Sequence, residues 1–138
     1  MDSKRKAAWE DELRLGVEDV DREHGLQVRL VEALQEALVA GADRATTAEI
    51  LQRLDDCSDV HFMGEELLMR LHSYPRYHLH VEEHRRLLGT LRELRARFEG
   101  GQAPTLDTVE ELRRWLAGHV RGLDRDVAEW VSGGEAAQ

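Results

Sequence analysis

The sequence predicts an all-α protein, an up-down-up-down antiparallel four-helix bundle with an N-terminal arm. Three observations carry that prediction. Breakers divide the chain at Gly41 with Asp43, at Ser73-Tyr74-Pro75, and at Gly100-Gly101 with Pro104. The stretches between them are long, and apolar residues recur in them at intervals of three and four. No alternating β-branched run argues for a strand. Short connections then make successive helices antiparallel neighbours.

Residues 1–20 carry no helical stripe and form the expected arm, with Trp9, Leu13, Leu15 and Val17 available to pack on the outside of the bundle. The bundle is expected over 21–131 and a polar tail over 132–138, opening at Ser132-Gly133-Gly134. The first helix, over 21–40, places His24, Val28, Val31, Leu34 and Leu38 on one face. The second, over 46–72, places Ile50, Leu54, Cys57, His61, Glu65 and Leu68 together, and Thr46 with Glu49 has the spacing of a cap at its start. The third, over 76–99, carries Tyr77, His80, His84, Leu87, Leu91, Leu94 and Phe98. The fourth, over 106–131, carries Val109, Leu112, Leu116, His119, Leu123, Val127 and Trp130, with Asp107 and Glu110 spaced as an acidic cap.

Composition narrows the function. The chain has 138 residues, enough for one domain with a real core. With 19 basic and 28 acidic residues its net charge is -9, a field that repels nucleic acid and anionic membranes. No stretch approaches the roughly 20 apolar residues that span a bilayer. The basic start, Met1 to Lys6, is followed by no apolar run, and the single Cys57 permits no intramolecular disulfide, so a cytoplasmic location is expected.

What interrupts the apolar stripes is the informative part. Each helix carries histidine on its inward face. His61 and Glu65 stand four apart, as do His80 and His84, so each pair shares a face about one turn apart. His24 and His119 come from the remaining two helices. A lone histidine on an apolar face is more often a core residue satisfied by a hydrogen bond. Five of them with a carboxylate are different, since each one left unsatisfied costs about 1–3 kcal/mol and a metal satisfies them together. They exceed what one tetrahedral zinc takes, and suit two ions bridged by carboxylate. Imidazole with carboxylate and no thiolate suits iron, and leaves zinc, copper or nickel open. Cys57 reads as a small buried hydrophobe. His72 and His78 fall off the stripes and read as surface residues or supports behind the site. No Glu-x-x-His occurs, which separates the pattern from the ferritin-like carboxylate bundles. A histidine-rich, carboxylate-poor site favours binding a small molecule over building a strong oxidant.

These residues resemble the hemerythrins, specifically the stand-alone bacteriohemerythrins. The resemblance rests on Val20-Asp21-x-x-His24, His61-Phe62-x-x-Glu65-Glu66, Tyr74-Pro75 ahead of His80-x-x-x-His84, and Trp115-Leu116-x-x-His119-x-x-x-x-Asp124, and runs from about Trp9 to Trp130. It implies that His80, His84 and His119 bind one iron, that His24 and His61 bind the other, and that Glu65 and Asp124 bridge them. The implied cofactor is two iron ions, ferrous or ferric, with a bridging oxo or hydroxo group, and the implied ligand is dioxygen at the iron with only two histidines. Leu116 and Phe62 are then candidates for the dioxygen pocket wall, with ordinary core packing as the plainer reading.

Reversible dioxygen binding by a carrier, store or sensor is the expected function, with no catalytic residues. The alternatives are a di-iron enzyme acting on peroxide or nitric oxide and a bundle that binds partners without metal. Expected partners are dioxygen and an oxygen- or iron-using protein, with no nucleic acid and no membrane. One member of the set does not follow from periodicity. His119 and Asp124 are five apart, about 140° around a regular helix, and Asp126 would share the histidine's face better. The resemblance selects Asp124, which requires a local loosening of the helix. Gly118 and Gly122 nearby fit either a close helix approach or plain sequence drift.

Overall fold

A computed structural model describes residues 13–134. The arm from 1 to 12, with Trp9, lies outside the described residues, as does 135–138 of the tail. Four long helical segments form an antiparallel bundle: α1 (Glu18–Ala40), α2 (Arg44–Leu71), α3 (Tyr77–Glu99), and a fourth segment that begins as α4 (Leu106–His119). The fourth segment then passes through a π-helical turn (Val120–Asp124), a short α5 (Arg125–Glu129) and a final π turn (Trp130–Gly134). Among the described residues there is no strand, and no helix is long and apolar enough to cross a membrane. α1 packs on α2 and α4, and α2 on α3. Partners run in opposite directions: His24 meets His61 while Gln27 meets Ser58, so a step up α1 is a step down α2.

The helix ends differ from the sequence expectation by a few residues, and the capping groups explain why. α1 starts at Glu18 because the Asp21 carboxylate reaches back and accepts from the Leu15 and Gly16 amides at 2.7 and 3.0 Å. It ends where Gly41 takes φ +68, with Ala42 N–H donating to Ala37 O at 2.9 Å. α2 is capped by Asp43, which accepts from Thr46 N at 2.9 Å, so Thr46 is the third helical residue and not the cap. α4 is capped by Thr105 in a reciprocal box with Thr108, two residues ahead of the Asp107–Glu110 spacing.

Two apolar clusters fill the bundle. The larger takes Val28, Val31 and Leu34 from α1, Leu51 and Leu54 from α2, Leu91 and Phe98 from α3, and Leu112 and Leu116 from α4. Leu13, ahead of α1, is fully buried in this cluster, with Leu15 packed against it. The smaller cluster, Met69, Tyr74 and Val127, lies at the other end. The buried face of α2 is rotated from the expected stripe: Thr47, Leu51, Ser58, Phe62 and Met69 are buried, whereas Ile50, Cys57 and Leu68 are only partly so. Paired polar residues cause this rotation. Asp55, 3 % exposed, holds the guanidinium groups of both Arg92 and Arg95 from α3.

Gly118 and Gly122 do not mark a close helix approach. Both are exposed, and a Cβ added at either meets nothing within 4 Å. Gly118 lies in regular helix, so Gly118→Ala is expected to stabilise the fold by about 0.5–1 kcal/mol, read as a higher thermal midpoint by circular dichroism.

Candidate metal centre

Between the two apolar clusters lies a layer of seven buried polar side chains, one or two from each helical segment. His24 comes from α1, His61 and Glu65 from α2, His80 and His84 from α3, His119 from the end of α4 and Asp124 from the π turn. All seven are at most 8 % exposed. They fall into two groups, Glu65, His80, His84, His119 and Asp124 in one and His24, His61 and Asp124 in the other, with donor atoms inside each group within 4.8 Å of one another.

The distances show how Asp124 joins the groups. Its Oδ1 lies 3.0 Å from His80 Nε2 and 3.1 Å from His119 Nε2. Its Oδ2 lies 2.9 Å from His24 Nε2 and 4.0 Å from His61 Nε2. Glu65 Oε1 stands 3.0 Å from His80 Nε2 and 2.9 Å from His84 Nε2. His24 and His61 bring their Nε2 atoms to 3.1 Å of each other. These atoms converge on shared points more than they pair. His119 Nε2 is close to Asp124 yet so aligned that it makes no hydrogen bond, and it is buried. An orphaned ring nitrogen in a dry layer is costly unless something else fills its lone pair.

The π turn resolves the spacing problem of the fourth segment. A turn closed five residues on, in place of four, accommodates one extra residue and brings Asp124 beneath His119. Asp126, which regular periodicity favoured, points away from the centre and pairs with Arg76 at 2.7 Å. Leu123 is accordingly only partly buried, while Val120 and Asp124 are buried.

Two carboxylates that the sequence did not single out for a role support the rings from behind. His61 Nδ1–H donates to Glu23 Oε1 at 2.5 Å, and His84 Nδ1–H donates to Glu66 Oε2 at 2.8 Å. Each bond keeps a proton on Nδ1, so that the neutral ring presents Nε2 as an inward-facing lone pair. The available signal was adjacency alone, since Glu23 precedes His24 and Glu66 follows Glu65.

Charge is closely compensated. Burial drives the His61 imidazolium toward neutrality, but the Asp124 and Glu23 carboxylates, with Glu65 nearby, outweigh it and hold its pKa up at about 10. Burial likewise opposes His80, which Asp124 and Glu65 raise to about 9. Burial works to raise the Asp124 pKa, yet His119, His24 and His61 around it hold the carboxyl well below the usual range. The hydrogen bond from His61 lowers Glu23 against its partial burial.

The remaining candidates fall around this layer. Phe62 is buried and stacks on His84, centroids 4.1 Å apart and planes at 9°, so it covers the three-histidine group as well as adjoining His61 at 5.8 Å. Leu116 is buried in the larger apolar cluster, one turn before His119. Cys57 belongs to neither group; burial and the Glu23 charge push its thiol up to about 11, which leaves it protonated and inert. His72 ends α2, where its carbonyl accepts from Trp130 Nε1 at 2.7 Å, and His78 is exposed beside Tyr77.

The same architecture recurs in known proteins. Residues 15–131 match the family model described as the hemerythrin HHE cation binding domain. A bacteriohemerythrin of Stenotrophomonas maltophilia is 32% identical over 125 residues, covering 89% of this chain and 80% of that protein. One from Ralstonia nicotianae is also 32% identical over 125 residues, covering 90% and 88%. A myohemerythrin of Riftia pachyptila is 24% identical over 116 residues, covering 84% and 86%. The crystal structure of a wild-type hemerythrin superposes with a TM-score of 0.79 at 28% identity, over 86% of this chain and 92% of the other. The bundle, its histidine layer and a family match that spans nearly all the described residues agree: this chain belongs to the hemerythrin family.

Proposed function

We propose that this chain binds dioxygen reversibly at a di-iron centre, with His80, His84 and His119 on one iron, His24 and His61 on the other, and Glu65 and Asp124 bridging. The observation that carries this is the division of Asp124, whose two oxygens face different histidine groups. A carboxylate at the edge of one mononuclear site would present both oxygens to one group. The donors are imidazole and carboxylate without thiolate, a set that suits iron. When bound, the two irons would supply the electrons that dioxygen takes up on binding and returns on release.

The protein's own contribution is orientation, asymmetry and dryness. Glu23 and Glu66 hold His61 and His84 with Nε2 inward. One group offers three histidines and the other two, so an exogenous ligand would find room at the His24–His61 end. Leu116 and Phe62 exclude water from the layer, which protects a bound ligand from protonation and displacement. The role is read as binding, since the layer consists of five histidines and two carboxylates grouped as metal donors, with no further buried acid or base among them. A cytoplasmic workplace fits the lone thiol.

The test is cyclic exposure of the reduced, iron-loaded chain to air and then to argon. A visible absorption band is expected to appear and vanish over repeated cycles, with peroxide consumed no faster than by free iron. A band that never reverses, or rapid peroxide turnover, would replace carriage with catalysis.

A further inference from the structure

Directly behind the two-histidine end lies a polar pair that the centre itself does not use. Gln27 stands three residues after His24 on α1, and Ser58 three residues before His61 on α2. The helices are antiparallel, so both are displaced the same way, about one turn from the His24–His61 pair toward the larger apolar cluster. Gln27 Nε2 donates to Ser58 Oγ at 3.0 Å. Gln27 is 1 % exposed and Ser58 fully buried, and Gln27 Oε1 has no hydrogen-bond partner. The flanking core positions Val28, Val31 and Leu54 are apolar and cannot supply one. A leucine would fill such a position without cost, whereas a half-satisfied amide is a standing penalty. The two ends of the amide have the same shape, so a half-turn presents NH2 in place of oxygen. The group can therefore either donate or accept from its place one turn behind His24 and His61.

We propose that the Gln27 amide, anchored by Ser58, is a hydrogen-bonding subsite for the small exogenous ligand at the His24–His61 end. The ligand class is a small molecule or anion terminating in oxygen or nitrogen. This rests on the di-iron reading above and deepens it, because the histidines fix where a ligand sits while Gln27 selects which ligand is held. A site built to hydrogen-bond its ligand discriminates sharply against one that cannot answer.

Azide is the probe, titrated against the oxidised, iron-loaded full chain. Gln27→Leu keeps the volume and removes the amide; it is expected to weaken azide binding about tenfold, the loss of one hydrogen bond to a charged ligand, and to shift the ligand charge-transfer band, with iron content unchanged. Ser58→Ala leaves the amide in place but unanchored, and a smaller loss is expected. In the metal-free chain, Gln27→Leu is expected to raise the thermal midpoint, because the unmatched amide is gone. Azide affinity unchanged in both variants would overturn the proposal. So would a lower midpoint for metal-free Gln27→Leu, which would make the pair a structural clasp between α1 and α2. If the parent chain takes up no iron or shows no azide band, the di-iron reading fails first and the subsite falls with it.

Discussion

Asp124→Ala is expected to reduce the metal content of the chain from two ions to one and to weaken retention of the one that remains. Among the described residues, Asp124 alone falls in both donor groups. Without it, the ion at His24 and His61 is left with two imidazoles and a share of Glu65, whose Oε1 faces His80 and His84, so that ion should be the first lost on dialysis. The other group keeps Glu65 and three histidines but loses the oxygen 3.0 Å from His80 and 3.1 Å from His119. The measurement is metal analysis after dialysis, compared with Asp126→Ala. Asp126 pairs with Arg76 on the surface, so its loss should leave metal content at two ions and cost stability about 0–1 kcal/mol.

Metal uptake is expected to be steeply pH-dependent, with apparent affinity rising about 100-fold per pH unit between pH 6 and 8. His61 and His80, with pKa values of about 10 and 9, both carry a proton in the metal-free chain over that range. Each must lose it to present Nε2 to a metal, so at least two protons leave as the centre fills. Calorimetric titration in buffers of different ionisation enthalpy counts them. The metal-free fold should show the complementary behaviour. Both histidine pKa values are raised above the ordinary value near 6.5, so their contribution to stability is fully present below that pH and is lost as pH rises through 9 and 10. The depressed Asp124 contributes in the opposite sense, present above about pH 4 and lost as pH falls through its lowered value. The metal-free chain is therefore expected to be most stable in mildly acidic solution, and the loaded chain to hold its stability into alkali.

Much of this centre was legible in the sequence because five histidines kept helical period with the apolar residues around them. His24, His61, Glu65, His80 and His84 all lie where that period placed them, and α1 to α3 are regular there. Asp124 was not legible from period, because a π turn changes the angular step at the residue in question, and only the resemblance pointed to it. The buried face of α2 was misjudged for a different reason. Thr47, Asp55 and Ser58 count as polar in any hydropathy pattern, yet they are buried, two of them against named partners on other helices. Pairing across helices is not written in the spacing of either one. Glu23 and Glu66 escaped notice likewise, since an acidic residue beside a ligand looks like any solvated charge until the fold sets it behind His61 or His84.

The most direct test of a centre divided across Asp124 is anaerobic titration with ferrous iron, followed by oxidation and electron paramagnetic resonance. Uptake should break at two irons per chain, and the oxidised pair should give no signal from isolated ferric iron, because carboxylate-bridged ions couple their spins. A break at one iron per chain, or a full-intensity signal from isolated ferric iron, would contradict it.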